Sequence, residues 1–220
     1  MKKLFQAIRK GDIGAVKELL EKKPNLISST AKQPPKKDDG QSPLQVALKT
    51  GNFEIADYFL NLHADVNFME SEDCCNEWRT PVIHDAINAA IMNSRWNVNS
   101  EIMYGGVKVF HSKEEADSAY KILKRITEMG ADVNAVDSYG NSCVWRACLQ
   151  ARQILPSYNH SEQKVGTDRI LTSELEEDLK RIFSLLHDNG MDIDYVKQGE
   201  EKTVREVFRN EPVIQFLKFD

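Results

Sequence analysis

One stretch of the chain, DGQSPLQVALKTGNFEIADYFLNLHADVN at 39–67, limits the possible folds more than any other. Apolar side chains recur every three or four positions on both sides of Gly51, which predicts two short helices separated by a turn. Helices of two or three turns are marginally stable in water by themselves. The pair must therefore bury its apolar stripes against further elements, and the neighbouring sequence is the natural source of them.

The same stretch carries turn and helix residues in a specific order. Gly40 and Ser42-Pro43-Leu44 precede the first helix, Gly51 separates the helices, and Ala64-Asp65-Val66-Asn67 follows the second. This order resembles the ankyrin repeat, whose pattern is Gly-x-Thr-Pro-Leu-His-x-Ala, an inter-helix Gly and a closing Gly-Ala-Asp-Val-Asn. The resemblance implies an all-α, ankyrin-type helix-turn-helix solenoid with short β-turn or hairpin connections.

His63 departs from that pattern, because the family has glycine just after the second helix. A left-handed backbone is usual there, and a residue other than glycine costs on the order of 1 kcal/mol. Gly130 and Gly190 keep glycine at the matching points of later units. We therefore expect a strained backbone at His63.

The resemblance extends along the chain, and it implies one ankyrin-repeat domain over 1–220. Two of its units are longer than the family standard, each between its two helices. The units are approximately 1–27, 37–68, 75–135 with an insertion at 92–113, 137–195 with an insertion at 154–172, and a C-terminal cap at 200–220. Insertions at the same point of adjacent repeats should lie side by side.

Local signals place further elements in the two long units. Alternation around Gly105-Gly106 predicts a β-hairpin over 101–110. Ser112 and Ser173, each followed three residues later by glutamate, predict capping boxes that begin two helices. The stretch 80–86 holds one residue more than the family motif, which predicts a bulge at Val82 or Ile83.

Composition sets outer bounds on the class of protein. The 220 residues are 41% hydrophobic and 29% charged, as in soluble globular proteins. Neither an apolar run long enough to cross a bilayer nor a signal-peptide pattern is present, so we expect a cytoplasmic protein without membrane insertion. A net charge of −5 argues against non-specific nucleic-acid binding and leaves a local basic patch open.

The sequence offers few candidates for chemistry. His84 and Asp85 with Cys148 could be imagined as a nucleophilic site, but in the family this histidine is structural. An acidic run at 174–178 could bind a metal, but most of it should lie in the first turn of a helix, where negative charge offsets the helix dipole. The cysteines lack zinc-site spacing. We therefore expect no catalytic residue, no metal and no cofactor.

Ankyrin-like modules bind partners through turn residues before each first helix and through positions near the end of that helix. Trp, Tyr and Arg dominate interface energies, so Trp78, Arg79 and Tyr139 are the predicted hot spot. Trp78 stands at a glycine position of the family, which predicts a distorted turn with an exposed indole or an indole packed on the insertions. The partner-binding residues carried over are Asp38, Asp39, Gln41, Lys49, Asn76, Glu77, Trp78, Arg79, Ser138, Tyr139, Asn141 and Gln150.

Two classes of function remain open. The first, implied by the resemblance, is a non-catalytic scaffold or adaptor that binds another protein through a concave face and turn tips. The second is an enzyme or small-ligand-binding protein whose site is built from the two insertions. The lack of a nucleophile or ligand constellation favours the first.

Overall fold

The computed structural model describes residues 1–219. The chain begins with helices α1 (Lys2–Lys10) and α2 (Ile13–Lys22), joined at Gly11, whose φ of 70° only glycine adopts freely. A 3-10 turn at Pro24–Ser28 follows, and a second at Lys36–Asp38 precedes the next repeat. The first repeat therefore starts directly with a helix.

Repeat two is the compact unit that the sequence pattern describes. Its helices are α3 (Pro43–Lys49) and α4 (Phe53–Asn61). Ser42 caps α3 in a full capping box with Gln45, and Pro43 occupies the first helical position, where its missing N–H has no helical partner to lose. His63 has a φ of 55°, so the predicted left-handed backbone is confirmed.

Repeat three holds the first insertion between α5 (Val82–Met92) and α7 (Lys113–Glu128). The insertion contains strand β1 (Asn97–Ser100), the short helix α6 (Glu101–Tyr104) and strand β2 (Gly106–Val109). The strands pair antiparallel, with Asn97 opposite Val109.

The hairpin of the first insertion therefore exists, but the sequence placed its first strand wrongly. The segment 101–104 is helical, because Ser100 accepts a hydrogen bond from the Met103 N–H and so caps a helical turn. Gly105, at a φ of 65°, ends that turn. The capping box of Ser112 and Glu115 at the start of α7 is confirmed.

Repeat four consists of α8 (Cys143–Ala151), the two-residue strands β3 (Tyr158–Asn159) and β4 (Lys164–Val165), and α9 (Ser173–Asp188). Thr172, one residue before the predicted cap, begins α9, because its side chain accepts a hydrogen bond from the Leu175 N–H. Ser173 instead donates to Glu174. The predicted capping box at Ser173 is therefore wrong by one position.

The C-terminal unit has α10 (Val204–Val207) and a 3-10 turn at Pro212–Leu217. Phe208 meets the ring of Trp145 edge-on, with centroids 5.4 Å apart, and Phe216 stacks on Phe183 at 5.6 Å. The unit thus packs against the apolar end of repeat four.

The helices form two layers. The first helices α1, α3, α5 and α8 pack on one another in that order, and the second helices α2, α4, α7 and α9 form the other layer. One continuous cluster of buried side chains runs from α1 to the C-terminal turn between these layers. The short helices bury their stripes in this shared core, as the periodicity requires.

The extra residue of repeat three lies before α5, not at Val82 or Ile83. The helix begins at Val82, and Pro81 is its N-cap. Pro81 therefore stands where repeat two has Ser42 and repeat four has Ser142. The predicted bulge inside the motif is wrong, because the turn before the helix absorbs the extra residue and the helical register is undisturbed.

This register aligns His84 with Gln45 and Trp145. Gln45 donates from Nε2 to the Thr80 carbonyl at 2.8 Å, in the next repeat. His84 Nε2 lies 3.0 Å from the carbonyl of Ala135, the last residue of repeat three, so Nε2 carries the proton. The structural role predicted for His84 is confirmed.

The two insertions lie side by side. Asn97 accepts from the Ile170 N–H through its side-chain oxygen and donates to the Ile170 carbonyl, and the Asn99 N–H donates to Asp168. Arg95 makes two charged hydrogen bonds of 2.9 Å to Asp178, whose side chain is fully buried. The insertions and α9 are thereby joined through buried polar contacts.

Candidate partner-binding surface

The turns before α5 and α8 are hydrogen-bonded to each other. Ser138 donates from its backbone to the Arg79 carbonyl at 3.0 Å, and its Oγ donates to the Glu77 carbonyl at 2.9 Å. The Arg79 N–H donates back to Ser138 Oγ at 3.0 Å. Three bonds over so few residues fix the relative position of the two turn tips.

Two aromatic side chains are exposed on these joined tips. Trp78 is 39% exposed and Tyr139 is 52% exposed. The Trp78 indole donates to Asp137 Oδ2 at 2.9 Å, and the Arg146 guanidinium lies 4.7 Å from the ring centroid. Trp78 is therefore held by the next repeat and stays partly open to solvent; its polar contact is not with an insertion.

Asp137 is the anchor beneath both tips. Burial opposes its ionisation, but hydrogen bonds from Asn141, Trp78 and Arg146 outweigh that cost and hold the pKa of Asp137 below its usual value. Arg146 is 3.0 Å from the carboxylate. A buried, ionised and fully hydrogen-bonded carboxylate holds the two turn tips rigidly in place.

The structure divides the predicted partner-binding residues by exposure. The residues with accessible side chains are Lys49, Asn76, Glu77, Trp78, Arg79, Ser138 and Tyr139. The residues that are buried are Asp38, Asp39, Gln41, Asn141 and Gln150. Asp38 pairs with Arg9 at 2.6 Å, and Asp39 accepts from the Cys75 N–H at 2.9 Å. Short polar side chains in these turns bond to neighbouring turns, and we remove the five buried ones from the surface.

A cavity of about 230 Å³ opens beside these tips, between the turns and first helices of repeats two and three. Its wall includes Glu70 and Asp85, two buried carboxylates that the sequence reasoning did not assign to any surface. The available signal was the register: Asp85 occupies the position of the buried Val46 in repeat two. The replacement of a buried apolar residue by a carboxylate at this helix position is the sequence signal that could have identified the cavity.

Burial shifts two neighbouring groups on α5 in a way that keeps both uncharged. Desolvation lowers the pKa of His84 to about 4. Desolvation, and then the charge of Glu70, raise the pKa of Asp85 to about 8. Cys148 is fully buried, and burial strongly raises the pKa of its thiol. A reactive thiolate needs the opposite environment, so this trio is not arranged for nucleophilic catalysis.

The rest of residues 1–219 was compared with the requirements of a metal site and of a membrane span. In that part of the chain, no three His, Cys, Asp or Glu side chains are grouped so as to hold a metal ion. Of the acidic run at 174–178, Glu174 and Glu176 lie in the first turn of α9, whereas Asp178 is buried beneath Arg95, so the prediction holds only in part. None of the described helices is both long and apolar enough to span a bilayer.

The comparison with known protein families agrees with the layered helix pairs. Residues 4–98 match the family model for ankyrin repeats (3 copies). No curated protein matches the chain. The match ends inside the first insertion, where the regular spacing of the repeats is interrupted. Helix pairs in two layers, the inter-repeat bond from Gln45, and this match lead to one conclusion: residues 4–98 form ankyrin repeats.

Proposed function

We propose that the chain is a non-catalytic scaffold or adaptor that binds a partner protein through its turn tips and the adjoining first helices. Ankyrin repeats are generally modules for protein–protein interaction. The observation that supports this surface is the pair of exposed rings, Trp78 and Tyr139, on turn tips that are bonded to each other.

Physical reasoning favours these tips as the centre of the interface. Large, amphipathic aromatic side chains bury much area at low entropic cost, and they supply a large share of interface hot spots. A surface that is rigid before binding loses little conformational freedom on association. Trp78, Arg79 and Tyr139, held by Ser138 and Asp137, meet both conditions.

The alternative function, a small-ligand or catalytic site built from the insertions, has weaker support. The second insertion borders a cavity of about 150 Å³ with Arg152, Leu155 and Glu211. Pockets for drug-sized molecules are typically about 300–1,000 Å³. The first insertion exposes Ile102 completely and Met103 to 70%, which suits contact with a protein better than enclosure of a small molecule.

The proposal covers the whole chain as one domain. We propose that the units at 1–27, 37–68, 75–135, 137–195 and 200–220 form a single repeat stack, because the buried cluster is continuous across the described part of all five. We further propose a cytoplasmic protein that does not bind nucleic acid, in keeping with its net charge of −5.

The test compares aromatic residues of similar exposure at different places. The partner is first identified by crosslinking and mass spectrometry in the native host, and its affinity is then measured for Trp78→Ala, Tyr139→Ala and Tyr104→Ala. Tyr104 is 39% exposed, like Trp78, but lies in the first insertion. We expect a loss of about 2 kcal/mol at a turn-tip residue and under about 0.5 kcal/mol at Tyr104. Losses under about 0.5 kcal/mol at both turn-tip residues, with folding intact, would reject the surface.

A further inference from the structure

The cavity beside the turn tips holds two carboxylates that are almost entirely removed from water. Glu70 is 5% exposed and Asp85 is 4% exposed. Glu70 accepts hydrogen bonds from Gln41 Nε2 at 3.0 Å and from the Thr80 N–H at 2.7 Å, both uncharged donors. Oδ2 of Asp85 and Oγ1 of Thr80 are buried and have no hydrogen-bond partner among the described residues. The cavity wall therefore contains unused hydrogen-bonding capacity.

Two of the cations near this cavity, Lys49 and Arg146, are engaged elsewhere, and Lys37 also lines the wall. Lys49 Nζ donates to Gln41 Oε1 at 2.8 Å and to the Lys37 carbonyl at 2.9 Å, and it lies 3.8 Å from Asp38. Arg146 pairs with Asp137 at 3.0 Å. A buried carboxylate without a cation is costly, and it is relieved either by a proton or by a positive group from outside.

Size and shape point to a single side chain as the missing group. The volume of about 230 Å³ is below that of an ordinary small-molecule pocket. The indole of Trp78 forms part of the wall. A planar guanidinium can bond two carboxylates and lie against an aromatic ring, whereas an ammonium group is a compact point charge.

We propose that this cavity receives an arginine side chain of the partner protein, with its guanidinium bonded to Glu70 and Asp85 beside the Trp78 indole. The inference rests on the proposed function, because it assigns the partner chemistry of that same surface. It also gives Asp85 a role at a helix position where repeat two has only an apolar contact.

The electrostatics of the cavity make binding pH-dependent. The charged and polar groups around Asp85 are Glu70, Glu77 and Lys37 from the turns, Lys49 and Gln45 from α3, and Arg146 from α8. Burial and Glu70 raise the pKa of Asp85 to about 8, so at neutral pH this carboxyl keeps its proton. Arginine must displace that proton. Below pH 8, the affinity for arginine should therefore increase as pH rises, by up to about tenfold per pH unit.

The test uses the full chain and a neutral analogue of the same shape. N-acetyl-arginine amide and N-acetyl-citrulline amide are titrated separately, and NMR follows the Asp85 carboxyl carbon and the Trp78 indole N–H. We expect saturable shifts of both signals with the arginine compound, at least tenfold weaker shifts with citrulline, and tighter binding at pH 7.5 than at pH 6.5. Equal responses to the two compounds, no saturable Asp85 shift, or pH-independent affinity would overturn the proposal.

Variants separate this cavity from the wider surface. Asp85→Asn should weaken the arginine compound at least tenfold, whereas Glu72→Gln, which changes a carboxylate 90% exposed and paired with Arg79, should not. If Asp85→Asn does not fold, the arginine and citrulline comparison on the wild type still decides. Tyr139 lies outside the cavity lining. A partner affinity that depends on Tyr139 while the arginine compound fails would overturn this inference alone.

Discussion

Repeats two and three have the same arrangement of helices but differ in the residues that their first helices bury. In repeat two, α3 begins at Pro43 with a capping box, and the buried position after Gln45 is Val46. In repeat three, the two matching positions are His84 and Asp85, both buried. The stack therefore holds two titratable groups in its core where burial favours their uncharged forms.

The two repeats also differ in how their second helix is reached. A turn at Gly51 joins the helices of repeat two, whereas repeat three inserts a hairpin that contacts the next insertion. Removing 93–112 would remove Arg95 and leave the buried carboxylate of Asp178 without one of its main partners.

The largest expected effect in this comparison is at the contact unique to the long repeats. Arg95→Ala should lower the free energy of unfolding by about 3 kcal/mol, because it removes two charged hydrogen bonds from the fully buried Asp178. Urea denaturation measures the loss. The control is Arg205→Ala, whose ion pair with Asp194 is exposed and should contribute under about 1 kcal/mol. Equal losses would mean that the buried contact has no special weight.

The next prediction concerns His84→Gln, which gives repeat three the residue that repeat two has at the matching position. The pKa of His84, at about 4, lies below its ordinary value near 6.5, so the contribution of His84 to wild-type stability is lost as pH falls through this window. His84→Gln supplies the amide that Gln45 uses in repeat two. Relative to wild type, this variant should gain about 1.4 kcal/mol per pH unit below pH 6.5, or about 3 kcal/mol at pH 4.

Stability curves from pH 4 to pH 7 measure the His84 effect. His160→Gln is the control, because that side chain is 62% exposed and should show no comparable pH-dependent gain. A constant difference between His84→Gln and wild type across this range would mean that the buried imidazole is not the titrating group.

Asp85 gives a second test of repeat three, at higher pH than the test at His84. Its pKa of about 8 lies above the ordinary value near 4, so the stability given by the bound proton is lost as pH rises towards 8. Below pH 6.5 the opposite contribution of His84 masks this loss in the wild type. Between pH 6.5 and 8, Asp85→Asn should gain about 2 kcal/mol relative to wild type.

Thermal or urea unfolding at pH 6.5, 7.2 and 8 measures the gain for Asp85→Asn. The exposed Asp65, changed to asparagine, is the matched control and should follow the wild type across this range. A gain for Asp85→Asn that does not increase with pH would show that its effect comes from packing alone.

The smallest expected effect concerns the end of each second helix. His63 has a φ of 55°, and the matching Gly190 has a φ of 88° with open space around its α-carbon. His63→Gly should raise stability by about 0.5–1 kcal/mol, and Gly190→Ala should lower it by about 1 kcal/mol, since both changes act on the backbone. Melting temperatures of the two variants should move in opposite directions; a decrease for His63→Gly would contradict the strain.

Local signals in the sequence determined the helix pairs, the Ser42 and Ser112 caps and the left-handed turn at His63. Periodicity, capping and backbone preference act over a few neighbouring residues, so they can be predicted without knowledge of the rest of the chain. The same signals erred by one position at Thr172 and at Pro81, where more than one residue could begin the helix.

Tertiary structure alone decided which turn residues are available and where the buried charges meet. Asp39 and Asn76 both lie in turns that precede a first helix. Asp39 is buried under the next turn, whereas Asn76 is partly accessible. Arg95 and Asp178 are 83 positions apart in the chain, and each looks like an ordinary surface residue in its own segment. Burial depends on contacts between distant segments, and since it governs both the strength of a charge interaction and the pKa of Asp85, no local pattern encodes these features.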